Sequence, residues 1–151
     1  MIAMAQTTDP IHFNREAGAE APPRRALNIV LWIIQVLLAL LFIWAGGFKL
    51  VATPEQLVGP PGSVVLPMAF LRFIGVCELL GGLGLLLPSL LRIKPGLTPL
   101  AAAGLVIIMI GAVGITLAGG GGAGTLVPAV TGLLAAFVAY GRWRLAPIRP
   151  K

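Results

Sequence analysis

Charged residues are what this chain has least of. Only 11% of its 151 residues are Asp, Glu, Lys or Arg, against about 25% in an ordinary soluble domain. With 58% hydrophobic residues and a mean hydropathy of +0.97, the shortfall leaves room for one membrane domain and excludes a sizeable soluble one. Cysteine is nearly missing too. Cys77 is the only one, so neither an intramolecular disulfide nor a C-x-x-C redox pair can form. The only histidine, His12, stands in a polar stretch. That excludes axial haem ligation from a membrane helix and leaves a structural zinc site without ligands. No metal site and no resident cofactor is expected, and any redox chemistry has to come from a partner or a diffusible molecule. Acidic residues number 5 against 11 basic ones, a formal net charge of +6. The basic residues gather at the ends of apolar runs, which suits topology and anionic headgroups rather than a phosphate-binding stripe, so no nucleic-acid partner is expected.

What the chain has in abundance is long apolar runs. Residues 1–26 read as a polar, mobile tail closed by Arg24 and Arg25, with Met4 as an alternative start. LNIVLWIIQVLLALLFIWAGGFKL then supplies a first transmembrane helix over about 27–50, because roughly 20 apolar residues at 1.5 Å each span a hydrocarbon core of about 30 Å. It is too long for a signal-peptide core, and no small-x-small cleavage site follows. Trp32 and Trp44 are spaced to sit near opposite interfaces. Pro54, Pro60 and Pro61 mark 51–66 as an extended loop. A second helix over about 67–87 is stopped by Pro88, a third covers about 98–118, GGGGAG reverses the chain, and a fourth covers about 125–140. The membrane domain is thus 27–141, with a basic tail over 142–151.

The tails and the 88–97 connection carry Arg15, Arg24, Arg25, Arg92, Lys94, Arg142, Arg144, Arg149 and Lys151. The other two loops have no Lys or Arg beyond Lys49 at the end of the first helix. The positive-inside rule puts both termini in the cytoplasm, as a multi-pass protein of the inner, cytoplasmic membrane. The expected fold is all-α, a four-transmembrane-helix bundle. Lipid tails are as apolar as leucine, so small residues at close contacts must hold such helices together. Gly75 and Gly82 on the second helix, with Gly81 and Gly84 nearby, are candidates for those contacts. So are Gly104, Gly111, Gly114 and Ala118 on the third.

Against this background Arg72 and Glu78 stand out, both within LRFIGVCELLGGLGLLLP. Glu78 lies about 60° from Gly75 and about 40° from Gly82 around the helix, so it shares the face best able to meet another helix. Arg72 is too far along the same helix to pair with it. Side chains lean toward their own helix's amino end. Lys49 and Glu78, on antiparallel helices, therefore converge in the outer half of the bundle, where Arg72 also points. The expected site is a cluster of Lys49, Arg72 and Glu78, with Glu55 from the loop. Three alternatives stay open for Glu78: a structural ion pair, a functional site, or a protonated carboxyl. Lys49 and Arg72 have the bland alternative of snorkelling to headgroups. Gln35 reads as a maker of interhelical hydrogen bonds, and Cys77 as a small packing residue.

The helix-1 ending WAGGFKL, the Pro-containing outer loop and RFIGVCELLGGLGLLLP together resemble the DoxX-like membrane proteins. Gly47 and Lys49 match a G-x-K-L-type ending. Arg72, Gly75, Glu78, Gly81, Gly84 and Pro88 match an R-x-x-G-x-x-E-x-x-G-x-x-G pattern closed by proline. The layout agrees over about 27–141. The resemblance implies a small four-helix membrane domain, some of whose relatives are associated with quinone-linked sulfur oxidation, terminal oxidases or oxidative-stress complexes.

Three functions follow as expectations. The first is an accessory or anchoring subunit of a quinone-linked membrane redox system, not catalytic alone, with a membrane or peripheral redox protein as partner and quinone as a possible ligand. Its donors around Lys49 and Arg72 suit a quinone carbonyl, and Glu78 suits proton movement. The second is a small proton-coupled transporter, working as an oligomer. Lys49 and Arg72 argue against it for cationic cargo, because like charge in the site repels the substrate. The third is an assembly factor or chaperone without a ligand.

Overall fold

Prolines set where the helices of this chain begin. A computed structural model describes residues 22–59, 61–91, 93–94 and 96–147. Of the expected amino-terminal tail, residues 1–21 lie outside these, with Met4 and His12, as do Arg92, Arg149 and Lys151. Helix α1 (Pro22–Val51) starts on a Pro-Pro pair, earlier than the Leu27 expected, because proline's fixed φ and missing N–H suit a first helical turn. A one-turn helix, α2 (Pro54–Leu57), follows inside the loop. The carbonyl of Pro67 accepts the amides of Phe70 and Leu71 as α3 (Met68–Leu91) begins.

Helix α3 runs through Pro88 to Leu91, where a stop was expected. Membrane helices tolerate proline when neighbours satisfy the groups it frees. Here Gln35 Nε2 and Ser89 Oγ both donate to the carbonyl of Leu85, the neighbour of the Gly84 carbonyl that Pro88 leaves without its i+4 amide donor. Helix α4 covers Leu97–Ala118 and α5 covers Leu126–Tyr140. A 3-10 turn (Gly122–Thr125) and a π turn (Gly141–Leu145) extend α5 at its two ends. The fourth span is therefore Gly122–Leu145, 24 residues, where the apolar run alone is barely long enough to cross.

The chain is a four-helix membrane bundle: α1, α3, α4 and the extended α5 are each long and apolar enough to cross a membrane. Neighbours in sequence are neighbours in space. α1 packs on α3, α3 on α4 and α4 on α5, and a lighter α1–α5 contact closes the ring. One core cluster joins all four through Leu38, Phe42, Leu85, Leu105, Met109 and Val138. Most of the remaining large apolar side chains face outward, as they do in proteins whose solvent is lipid.

Two faces of α3 do different jobs. Toward α1, a Cβ added at Gly46 would come within 2.6 Å of the Gly75 carbonyl oxygen, and one at Gly82 within 2.9 Å of the Ala39 carbonyl oxygen. Backbone meets backbone there, which only glycine permits. Toward α4, Gly81 receives the side chain of Leu105 and Gly84 that of Ala101. The contacts expected at Gly111 and Gly114 are not made. Neither they nor Gly104 would meet anything within 4 Å. α4 turns Ala102, Leu105 and Met109 into the core, and these glycines lie on its opposite side, facing out.

Candidate functional site

The last turn of α1 and the first turns of α3 meet at the end of the bundle away from the termini. Glu78 is buried, and its Oε2 accepts a hydrogen bond from Lys49 Nζ at 2.6 Å. The Glu78 side chain is 4% exposed and that of Lys49 25% exposed, so the ammonium is the reachable half of the pair. Two features of the sequence bring them together. The lean of side chains on antiparallel helices makes them converge, and Gly46 against Gly75 lets the two backbones close up just below.

Arg72 joins this region without touching the carboxylate. Its guanidinium donates from Nη1 to the carbonyl of Lys49 at 2.8 Å and from Nη2 to that of Ala52 at 2.9 Å. The last carbonyls of a helix have no intrahelical donor and carry the negative end of its dipole. Arg72 therefore caps α1, and it fixes the backbone on which Lys49 stands. Glu55 does not enter the cluster. It sits on α2, fully exposed, with its own backbone N–H first and the Thr53 hydroxyl second holding the carboxyl below its ordinary range. Cys77 is a half-buried free thiol on α3.

A second polar group lies at the other end, where α1 starts and α5 stops. Gln35, wholly buried, donates from Nε2 to Ser89 Oγ at 2.8 Å, and Ser89 Oγ lies 2.8 Å from Thr98 Oγ1. The other end of the Gln35 amide accepts from Arg142 Nε at 2.8 Å, and Arg142 Nη1 donates to Asn28 Oδ1 at 2.7 Å. The guanidinium lies 5.2 Å from the centre of the Trp32 ring. Asn28, Gln35, Ser89, Thr98 and Arg142 thus tie α1, α3, α4 and the π turn together. Sequence reasoning found Gln35 but placed Arg142 in a tail. The missed signal was length: a run ending at Tyr140 falls short of a span of about 20 residues, so the helix had to continue through 142.

The sequence profile of the DoxX-like family matches residues 33–138, well over half the chain. The chain belongs to the DoxX-like family. No curated protein and no solved structure is significantly similar to it. In this DoxX-like chain the matched segment contains Lys49, Arg72 and Glu78, together with Gln35, Ser89 and Thr98. Asn28 and Arg142, which complete the second group, fall outside it.

Proposed function

We propose that this DoxX-like protein is an accessory, anchoring subunit of a quinone-linked membrane redox system, with the Lys49–Glu78 pair as the point where quinone is held. The observation that carries this reading is the asymmetry of the pair: a partly exposed ammonium on a buried carboxylate. Lys49 Nζ keeps donors beyond the one given to Glu78, and these suit a quinone carbonyl. Glu78 is one bond away to receive or return a proton. Arg72, bound to the carbonyls of Lys49 and Ala52 at the end of α1, holds the lysine in place rather than contacting ligand. With one cysteine and one histidine in the sequence, the electron carrier belongs to a partner, so the role is to dock and present. The pairing of Glu78 with Lys49 also disfavours a cation exporter, which needs a free carboxylate.

The test is purification in mild detergent at native expression, followed by identification of bound quinone and co-purifying proteins. A redox partner and quinone are expected with the wild type, and Lys49→Met should retain at least tenfold less quinone at equal protein yield. A wild-type protein that arrives alone and quinone-free overturns the reading. An E78Q protein that only accumulates less, with its partner and quinone still bound, points instead to a ligand-free assembly factor.

A further inference from the structure

Arg142 is 3% exposed, the one buried cation among the described residues. Arginine stays charged in proteins, and buried charges are normally paired. Among the described residues every partner of this guanidinium is neutral: the Gln35 and Asn28 amide oxygens, the Trp32 ring, and the Ala146 carbonyl at 3.5 Å from Nη1. Nη2 has no hydrogen-bond partner among the described residues. The carboxylates among the described residues, Glu55 and Glu78, belong to the opposite end of the bundle. A buried cation held by dipoles on three sides, with one donor unspent, is an incomplete anion site.

Its depth says what completes it. Tyr140 and Trp143, on either side of Arg142 in sequence, are 60% and 67% exposed, and such aromatics sit at the headgroup level of a bilayer. Arg25, Lys94 and Arg144 are exposed at this same end, a charge pattern that favours anionic lipid. Arg142 is presented by a π turn, a helix irregularity frequent at functional sites. Its weakest contact is the long one to Ala146, in backbone that has already left the helix.

We propose that the Nη1–Nη2 edge of Arg142 binds the phosphate of an anionic membrane phospholipid, whose oxygens replace the Ala146 carbonyl and take up the free donor. The fork of a guanidinium matches two phosphate oxygens. Gln35 and Asn28 hold that fork in orientation from behind. The site is independent of the quinone reading, since it lies at the other end of the bundle and uses none of its residues.

The experiment is lipid retention by native mass spectrometry of the full chain, exchanged into micelles containing phosphatidylglycerol or phosphatidylcholine. The wild type should keep phosphatidylglycerol in preference to phosphatidylcholine. R142Q should lose that preference at least tenfold, while R144Q, a neighbouring exposed arginine, keeps it. Equal retention by wild type and R142Q overturns the proposal. So does inorganic phosphate that raises the thermal midpoint as much as phosphatidylglycerol does, since the site would then take a soluble oxyanion. Should R142Q fail to fold, R142K decides the matter. It keeps the charge and loses the fork, and retention equal to wild type would sink the assignment.

Discussion

The two ends of this bundle solve the same problem in opposite ways. At one, a cation enters the membrane domain and meets a carboxylate: Lys49 against Glu78, with Arg72 spent on the carbonyls that α1 leaves open. At the other, Arg142 is more deeply buried in the protein and, among the described residues, meets only dipoles, two side-chain amides, a backbone carbonyl and an indole face. The first arrangement is closed, because Lys49 has its carboxylate and the Arg72 guanidinium has two backbone carbonyls as acceptors. The second is open by one donor. How a cation is compensated is thus settled locally at each end, and the overall excess of basic residues says little about either.

The sharpest way to test that contrast is to remove one partner of the closed pair. Glu78→Ala leaves the Lys49 ammonium without its carboxylate. Breaking a fully buried pair costs about 3–5 kcal/mol. Lys49 is a quarter exposed, so roughly 2–3 kcal/mol is expected here, read as a shift in the SDS-unfolding midpoint in mixed micelles. Replacing both partners together, K49M with E78M, removes the charge and its counterpart at once and should return to within about 1 kcal/mol of wild type. A double variant no better than Glu78→Ala would show that the pair is not the unit that matters.

A smaller effect belongs to the open end. Gln35→Leu strips Arg142 Nε of its acceptor, and Ser89 Oγ and the Leu85 carbonyl of a donor. Interhelical hydrogen bonds in membranes average about 0.6 kcal/mol, with a maximum near 1.7. Three lost together should therefore cost about 1.5–2 kcal/mol in the same unfolding measurement. A loss as large as that of Glu78→Ala would erase the distinction between pairing by charge and solvation by dipoles.

The closed end was read from the sequence, whereas at the open one Gln35 was read and Arg142 was missed, for physical reasons. Helix direction, the lean of side chains and the Gly75–Glu78–Gly82 face are all properties of one or two helices. They sufficed to bring Lys49 and Glu78 together. Arg142 depends on where α5 ends, which a π turn decides and apolar periodicity does not encode. Gly111 and Gly114 failed as packing sites because glycine marks where a helix can approach, not where one does. The bulk of Leu105 and Met109 turned α4 the other way. The continuation of α3 past Pro88 was missed because proline stops most helices in water but is tolerated inside membrane helices.

Glu55 gives the smallest effect and checks the border of the closed end. Its carboxyl is held below the usual range by its own backbone N–H and by Thr53. A depressed folded-state value means that any stabilisation is present above the unfolded value of about 4.3 and is lost as pH falls through the folded one. Full exposure and salt screening keep that contribution slight. NMR titration should give Glu55 a midpoint below that of an ordinary glutamate. Glu55→Gln should leave the unfolding midpoint at neutral pH close to wild type and quinone retention untouched. The lysine faces Glu78 rather than the loop, so removing Glu55 takes nothing from it. A Glu55→Gln protein that loses quinone as Lys49→Met does would extend the cluster into the loop and redraw that end of the molecule.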